Sequence, residues 1–91
     1  MAWYVYMLEC ADDTLYTGVT TDMKRRLSEH NGTPPGKGAK YTAARRPVHV
    51  VYQKRCKNRS YAQKAEATLR KLSRSEKQEL IKSVKIKSVT R

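Results

Sequence analysis

Apolar and polar positions alternate in two different rhythms along this chain. From Trp3 to Cys10 the run WYVYMLEC is short, aromatic and β-branched, which predicts a buried strand. The stretch ADDT then supplies turn residues, and LYTGV resumes the strand pattern. Two such runs joined by a short polar link form a hairpin, which sets Tyr4-Val5-Tyr6 beside Tyr16-Thr17-Gly18. After Thr20 the period changes. In DMKRRLSEHNG, Met23, Leu27 and His30 recur at helical spacing, with Thr21 or Asp22 as the cap and Asn31-Gly32 as the stop.

The tract TPPGKGAKY carries too much proline and glycine for a helix or strand and reads as a flexible basic loop. A third strand is predicted from Pro47 through Tyr52. Two helices follow. Ser60 with Gln63 and Ser73 with Glu76 fit capping boxes, Ala62, Ala65, Leu69 and Leu72 form one apolar stripe, and Leu80, Ile81 and Val84 form the other. The order β-β-α-β-α-α describes a small α+β domain, a three-stranded antiparallel sheet flanked by helices, over residues 1–85. Residues 86–91 read as a basic C-terminal tail.

Charge changes this picture from a generic fold to a polyanion binder. The chain has 20 Lys and Arg against 8 Asp and Glu, a net charge of +12 on 91 residues. All of the cations follow residue 23, beside only Glu29, Glu66, Glu76 and Glu79. So uneven an excess favours nucleic acid over a merely soluble surface, because neutralising phosphates releases condensed counterions. Cys10 and Cys56 lie far apart and suggest neither a disulfide framework nor a zinc site. With no apolar run near ~20 residues and no signal-like start, a cytoplasmic protein without membrane association is expected.

Helical spacing separates two adjacent arginines. Arg26 shares the face of Met23 and His30, whereas Arg25 is turned about 100° toward solvent. Arg26 and His30 should therefore point at the tyrosine hairpin. Glu66 falls at the edge of the stripe made by Ala62 and Leu69, and is the acid least explained by solvation. A partly desolvated carboxylate needs a partner or a metal. One reading pairs Arg26 with Glu66 across the core margin; the other gathers both, with the tyrosines and His30, into a phosphodiester site.

Here the sequence resembles the GIY-YIG nuclease domain, over roughly residues 3–85. Tyr4-Val5-Tyr6 and Tyr16-Thr17-Gly18 stand for its two motifs, Arg26 for its helix arginine, His30 for the residue one turn later, and Glu66 for its metal-binding glutamate. YTGVTTDMKRRLSEHN, the GKGAKYT loop and LSRSEK are similar to a small stand-alone bacterial subfamily of single-domain proteins. The family's first glycine is Tyr4 here, and no asparagine follows Asn58.

The resemblance implies a metal-dependent endonuclease acting on DNA. It makes Tyr6 the general base, with Tyr16 positioning the water or sharing the proton, Arg26 stabilising the transition state, and His30 orienting Tyr6 or assisting the transfer. Glu66 would hold one Mg²⁺ or Mn²⁺ ion. A phenol of ordinary pKa near 10 is about one part in a thousand ionised at neutral pH, so such a site is expected to favour phenolate, with activity rising above neutrality.

Lys37, Lys40, Arg45, Arg46, Lys54 and Arg55 are the candidate backbone contacts, although the loop holding Lys37 and Lys40 could equally be a plain connector. The glycines at 32, 36 and 38 do not make a P-loop, since the spacing is short and no Ser or Thr follows Lys37. Asp12-Asp13 reads as a turn, His49 as a strand residue and Trp3 as core, and the core is expected to claim most of Tyr41, Tyr52 and Tyr61. Nothing suggests a separate sequence reader, so preference for a nucleic-acid structure is expected over a recognition sequence. A non-catalytic nucleic-acid-binding module with the same fold is the alternative.

Overall fold

The computed structural model describes residues 2–33 and 35–84. Strands β1 (Trp3–Glu9) and β2 (Leu15–Thr20) form the expected hairpin, with Tyr6 opposite Gly18 and Leu8 opposite Tyr16. Its turn is closed by Asp12, whose Oδ1 accepts from the Thr14 amide at 3.2 Å and the Thr14 hydroxyl at 2.6 Å. Asp13 takes the left-handed conformation, φ 66°, which short polar side chains tolerate.

Helix α1 (Met23–His30) starts on Asp22, whose carboxylate accepts from the Arg25 amide at 3.0 Å, and stops at Asn31-Gly32, with Gly32 at φ 98°. Asn31 also clasps the Val48 backbone, accepting from its amide at 2.8 Å and donating to its carbonyl at 3.0 Å. This ties the helix end to the entry of the third strand.

The basic tract is not wholly irregular as expected. After its prolines and glycines a single turn, α2 (Lys40–Ala43), forms in AKYTAA, where nothing breaks a helix. The C-terminal end of the loop is packed at Gly38. A Cβ on Gly38 would collide with the Glu29 carbonyl, so this segment lies directly on the last turn of α1.

Strand β3 (His49–Cys56) begins two residues later than predicted and runs four further. Its polar end continues because β1 still offers partners, Trp3 for Cys56 and Val5 for Lys54. The sheet order is β2-β1-β3, entirely antiparallel, with β1 central. Helix α3 (Arg59–Lys71) is capped by Asn58, which accepts from the Tyr61 amide at 3.0 Å, and not by the Ser60 box. Asn58 has the extended backbone that a cap requires, while Ser60 is already helical. Helix α4 (Arg74–Val84) opens on the expected Ser73-Glu76 box, with reciprocal bonds of 2.8 and 3.1 Å.

Alternation along β1 separates two small cores. Val5 and Met7 face α3 and α4, packing with Tyr52, Leu69, Leu72, Leu80 and Ile81. Tyr6 and Leu8 face α1, packing with Met23, Leu27, Tyr16 and Val48. Trp3 is only half-buried and belongs to neither, stacked instead under the Arg59 guanidinium at 5.7 Å. Of the three later tyrosines the core takes Tyr52 alone; Tyr41 and Tyr61 are exposed. The Val84 side chain and the predicted tail at 86–91 lie outside the described residues. Among the described residues no helix is long and apolar enough to cross a membrane.

Candidate active site

Tyr6 projects from the central strand toward α1, and His30, the last residue of that helix, meets it. The Tyr6 hydroxyl lies 2.9 Å from His30 Nε2, and both side chains are buried, Tyr6 at 1% and His30 at 0% exposure. The Tyr16 ring meets the imidazole edge to face at 5.1 Å. On the other side of the imidazole, Nδ1 lies 2.8 Å from the hydroxyl of Thr42 in α2. That hydroxyl donates its one hydrogen to the Ala39 carbonyl at 3.1 Å. Its oxygen must then accept from Nδ1–H, which leaves the Nε2 lone pair to accept from Tyr6. Thr42 was missed in the sequence, where no spacing rule links a loop threonine to a helix histidine; its complete burial is what betrays it.

Burial also sets the protonation of the pair. It pushes the Tyr6 phenol up to about 12, although the neighbouring Arg26 guanidinium pulls it down. It pushes His30 down to about 4, helped by the charges of Arg26 and Arg46. Burial thus works against the expected phenolate: desolvation outweighs the Arg26 guanidinium, and the protein groups by themselves leave the pair as neutral phenol and neutral imidazole.

Arg26 lies where helical spacing put it, with Arg25 turned outward at 56% side-chain exposure. The Arg26 Nη1 donates to Glu29 at 2.8 Å and to the Lys37 carbonyl at 2.9 Å. The hydrogen bond to Glu29, seconded by the guanidinium's charge, holds the Glu29 carboxyl below the usual range. Pairing of Arg26 with Glu66 across the core margin does not occur.

Glu66 pairs instead with Arg70 one turn on, at 3.0 Å, and keeps 22% side-chain exposure. It stands on α3, on the opposite sheet face from Arg26 and His30. Both faces reach β2, the edge strand. Arg70 reaches the Thr17 carbonyl at 3.4 Å, the Tyr6 hydroxyl lies over the adjacent Gly18, and the Glu66 charge acts on Tyr6 by raising its pKa. No group of three or more His, Cys, Asp or Glu side chains able to hold a metal occurs among the described residues. A divalent ion at Glu66 would draw most of its ligands from water and phosphate, which suits Mg²⁺ or Mn²⁺.

The candidate backbone contacts separate into three groups. Lys37 and Lys40 are exposed, and the Lys37 carbonyl anchors Arg26. Arg45 and Arg46 are engaged internally. Arg45 lies 4.0 Å over the Tyr41 ring and 3.1 Å from Asp12, while Arg46 donates to the His30 carbonyl at 2.7 Å. Lys54 and Arg55 are exposed on β3, at the far edge of the sheet from Gly18. His49 is an exposed strand residue paired with Glu9 at 3.1 Å.

The family model described as the GIY-YIG catalytic domain matches residues 2–79. UPF0213 protein DP2720 of Desulfotalea psychrophila is 50% identical over 82 residues, 90% of this chain and 73% of its own. UPF0213 protein SAG0778 of Streptococcus agalactiae is 50% identical over 82 residues, 90% of each chain. Two solution structures are similar. UPF0213 protein BH0048 of Bacillus halodurans shares 42% identity at a TM-score of 0.57, covering 93% of this chain and 86% of that one. Protein EF2693 of E. faecalis shares 44% at 0.62, covering 92% and 86%.

Proposed function

The chain belongs to the GIY-YIG catalytic domain family, and from that premise we propose that it is a metal-dependent endonuclease that hydrolyses phosphodiester bonds in DNA, directed by structure rather than sequence. The observation that carries this reading is the buried relay from Tyr6 through His30 to Thr42, at 2.9 and 2.8 Å, beside Arg26.

Hydrolysis requires that an attacking water lose a proton. With its phenol near pKa 12, Tyr6 is ionised in only about one molecule in 10⁵ at pH 7, too few for a standing base. Tyr6 instead passes its own proton to Nε2 of His30 while its oxygen takes the proton of the water. The water oxygen bonds to phosphorus as the bond to the leaving oxygen breaks. Complete transfer within the resting pair, from about 12 to about 4, would cost on the order of 10 kcal/mol, so transfer must be concerted with attack. Thr42 fixes the receiving tautomer, Tyr16 helps hold the water, and Arg26 stabilises charge growing on the phosphoryl oxygens. Glu66 would hold the divalent ion, which when bound would supply Lewis-acid stabilisation of the leaving oxygen.

The deciding experiment incubates the purified protein with supercoiled, single-stranded and branched DNA in Mg²⁺, Mn²⁺ or EDTA. Scission should appear with metal, vanish in EDTA, and be lost in Arg26→Ala and Glu66→Ala. Salt-sensitive binding without scission under every condition would leave the non-catalytic binding module as the correct reading.

A further inference from the structure

We propose that the groove between β3 and α3 is a second nucleic-acid site, which captures a single-stranded segment by stacking a base on Tyr61 and holding its phosphates with Lys54, Lys57 and Lys64. It rests on the reading that the ligand is nucleic acid, and not on cleavage.

The groove has a volume of about 410 Å³, within the range of roughly 300–1,000 Å³ typical of small-ligand sites. Cys56 and Ala65 contribute to its lining beside the three lysines and Tyr61, and no acidic side chain lines it. Strand alternation explains why Lys54 reaches it. Lys54 stands opposite Val5 and on the same face as Tyr52, the face that α3 covers. Because the sheet order is β2-β1-β3, this groove lies at the opposite edge from Gly18 and the Tyr6 hydroxyl.

Tyr61 is what packing does not explain. In a chain with six tyrosines, one tryptophan and no phenylalanine, this ring stands 53% exposed in the first turn of α3. The Lys57 and Lys64 ammonium groups lie over its ring, 5.9 and 5.7 Å from the centroid, on long exposed side chains that swing off the face to meet phosphates when a base stacks. An aromatic face flanked by cations is the platform on which unpaired bases stack, with the cations neutralising the phosphates on either side. A duplex keeps its base faces stacked on one another, so it can offer this groove phosphates but no ring. The site therefore discriminates single strand from duplex, and a substrate bridging both edges of the sheet would be one in which the two are joined.

The test measures fluorescence anisotropy of a fluorescein-labelled oligothymidylate, and of the same strand annealed to oligoadenylate, with EDTA present so that no cleavage intervenes. Tyr61→Ala should weaken the single strand about tenfold or more and leave the duplex within about twofold, while Tyr61→Phe keeps the parent affinity. In Tyr61→Trp, binding of the single strand should quench the added indole fluorescence. An unchanged single-strand affinity in Tyr61→Ala, an equal loss on both probes, or an unquenched Tyr61→Trp overturns the site. A protein that shows this pattern yet cuts nothing would remove the hydrolase reading and keep this one.

Discussion

The Tyr6 hydroxyl occupies the space above Gly18, where an added Cβ would stand 2.5 Å from it. The two residues are direct partners in the hairpin, so Gly18 is the opening through which the phenol extends from the central strand toward the β2 edge. Gly18→Ala should therefore turn the ring away from His30. Cleavage should fall about 100-fold, as a displacement near 1 Å at a reacting group costs, and urea unfolding should show a loss of about 1–3 kcal/mol from overpacking. Parent-like cleavage by a folded Gly18→Ala protein would mean that the hydroxyl position is immaterial.

A relay and a standing phenolate differ in their pH profiles. The relay needs neutral His30 and neutral Tyr6, a form populated from above about pH 4 to below about pH 12. At saturating metal, single-turnover cleavage should be level between about pH 6 and 9 and fall only in acid, as His30 takes a proton. A pre-ionised phenolate would instead give a tenfold rise per pH unit across that range. Tyr6→Phe should lower the plateau by about 10²–10⁴ in either case, so it is the slope that decides between them.

The hairpin, the selection of Arg26 over Arg25 and the Ser73-Glu76 box were legible because each depends on local spacing: two residues per strand repeat, 3.6 per helical turn, three across a cap. The length of β3 was not. Lys54, Arg55 and Cys56 have no strand-like pattern of their own and pair because β1 still has an open edge. Thr42 was hidden for a similar reason, since its partner His30 is 12 residues away across a proline- and glycine-rich loop. The charge state of Tyr6 depends on burial, which a sequence does not quantify, and desolvation outweighs the lowering influence of Arg26.

Thr42 is a positioning residue, and it can be tested separately from the groups it orients. Thr42→Val keeps the shape but leaves the buried Nδ1–H of His30 without an acceptor. Stability should drop by about 1–3 kcal/mol in urea titration. Cleavage should fall about ten- to 100-fold, and nitrogen NMR of the ring should show loss of the single Nδ1–H tautomer. Thr42→Ser, which restores the oxygen, should recover both the tautomer and the rate. A Thr42→Val protein with the original tautomer and full activity would remove Thr42 from the relay.

Burial of neutral His30 should also appear in the acid stability of the fold, independently of catalysis. Its pKa falls from an ordinary 6.5 to about 4 in the folded chain, chiefly through desolvation. Between those values the unfolded chain binds more protons than the folded one, so stability must rise with pH across the interval and be lost as pH falls through it. The difference amounts to about 3 kcal/mol between pH 7 and pH 4. The carboxyls of Asp12 and Glu29, both held below their usual range, add a slope of the same sign at the acid end. His30→Gln separates these contributions, because an amide can still bond to Tyr6 and Thr42 yet does not titrate. Urea unfolding followed by circular dichroism at pH 4, 5, 6 and 7 should show the parent losing about 3 kcal/mol more than His30→Gln over that range, and parallel curves would mean that His30 is not held neutral by its burial.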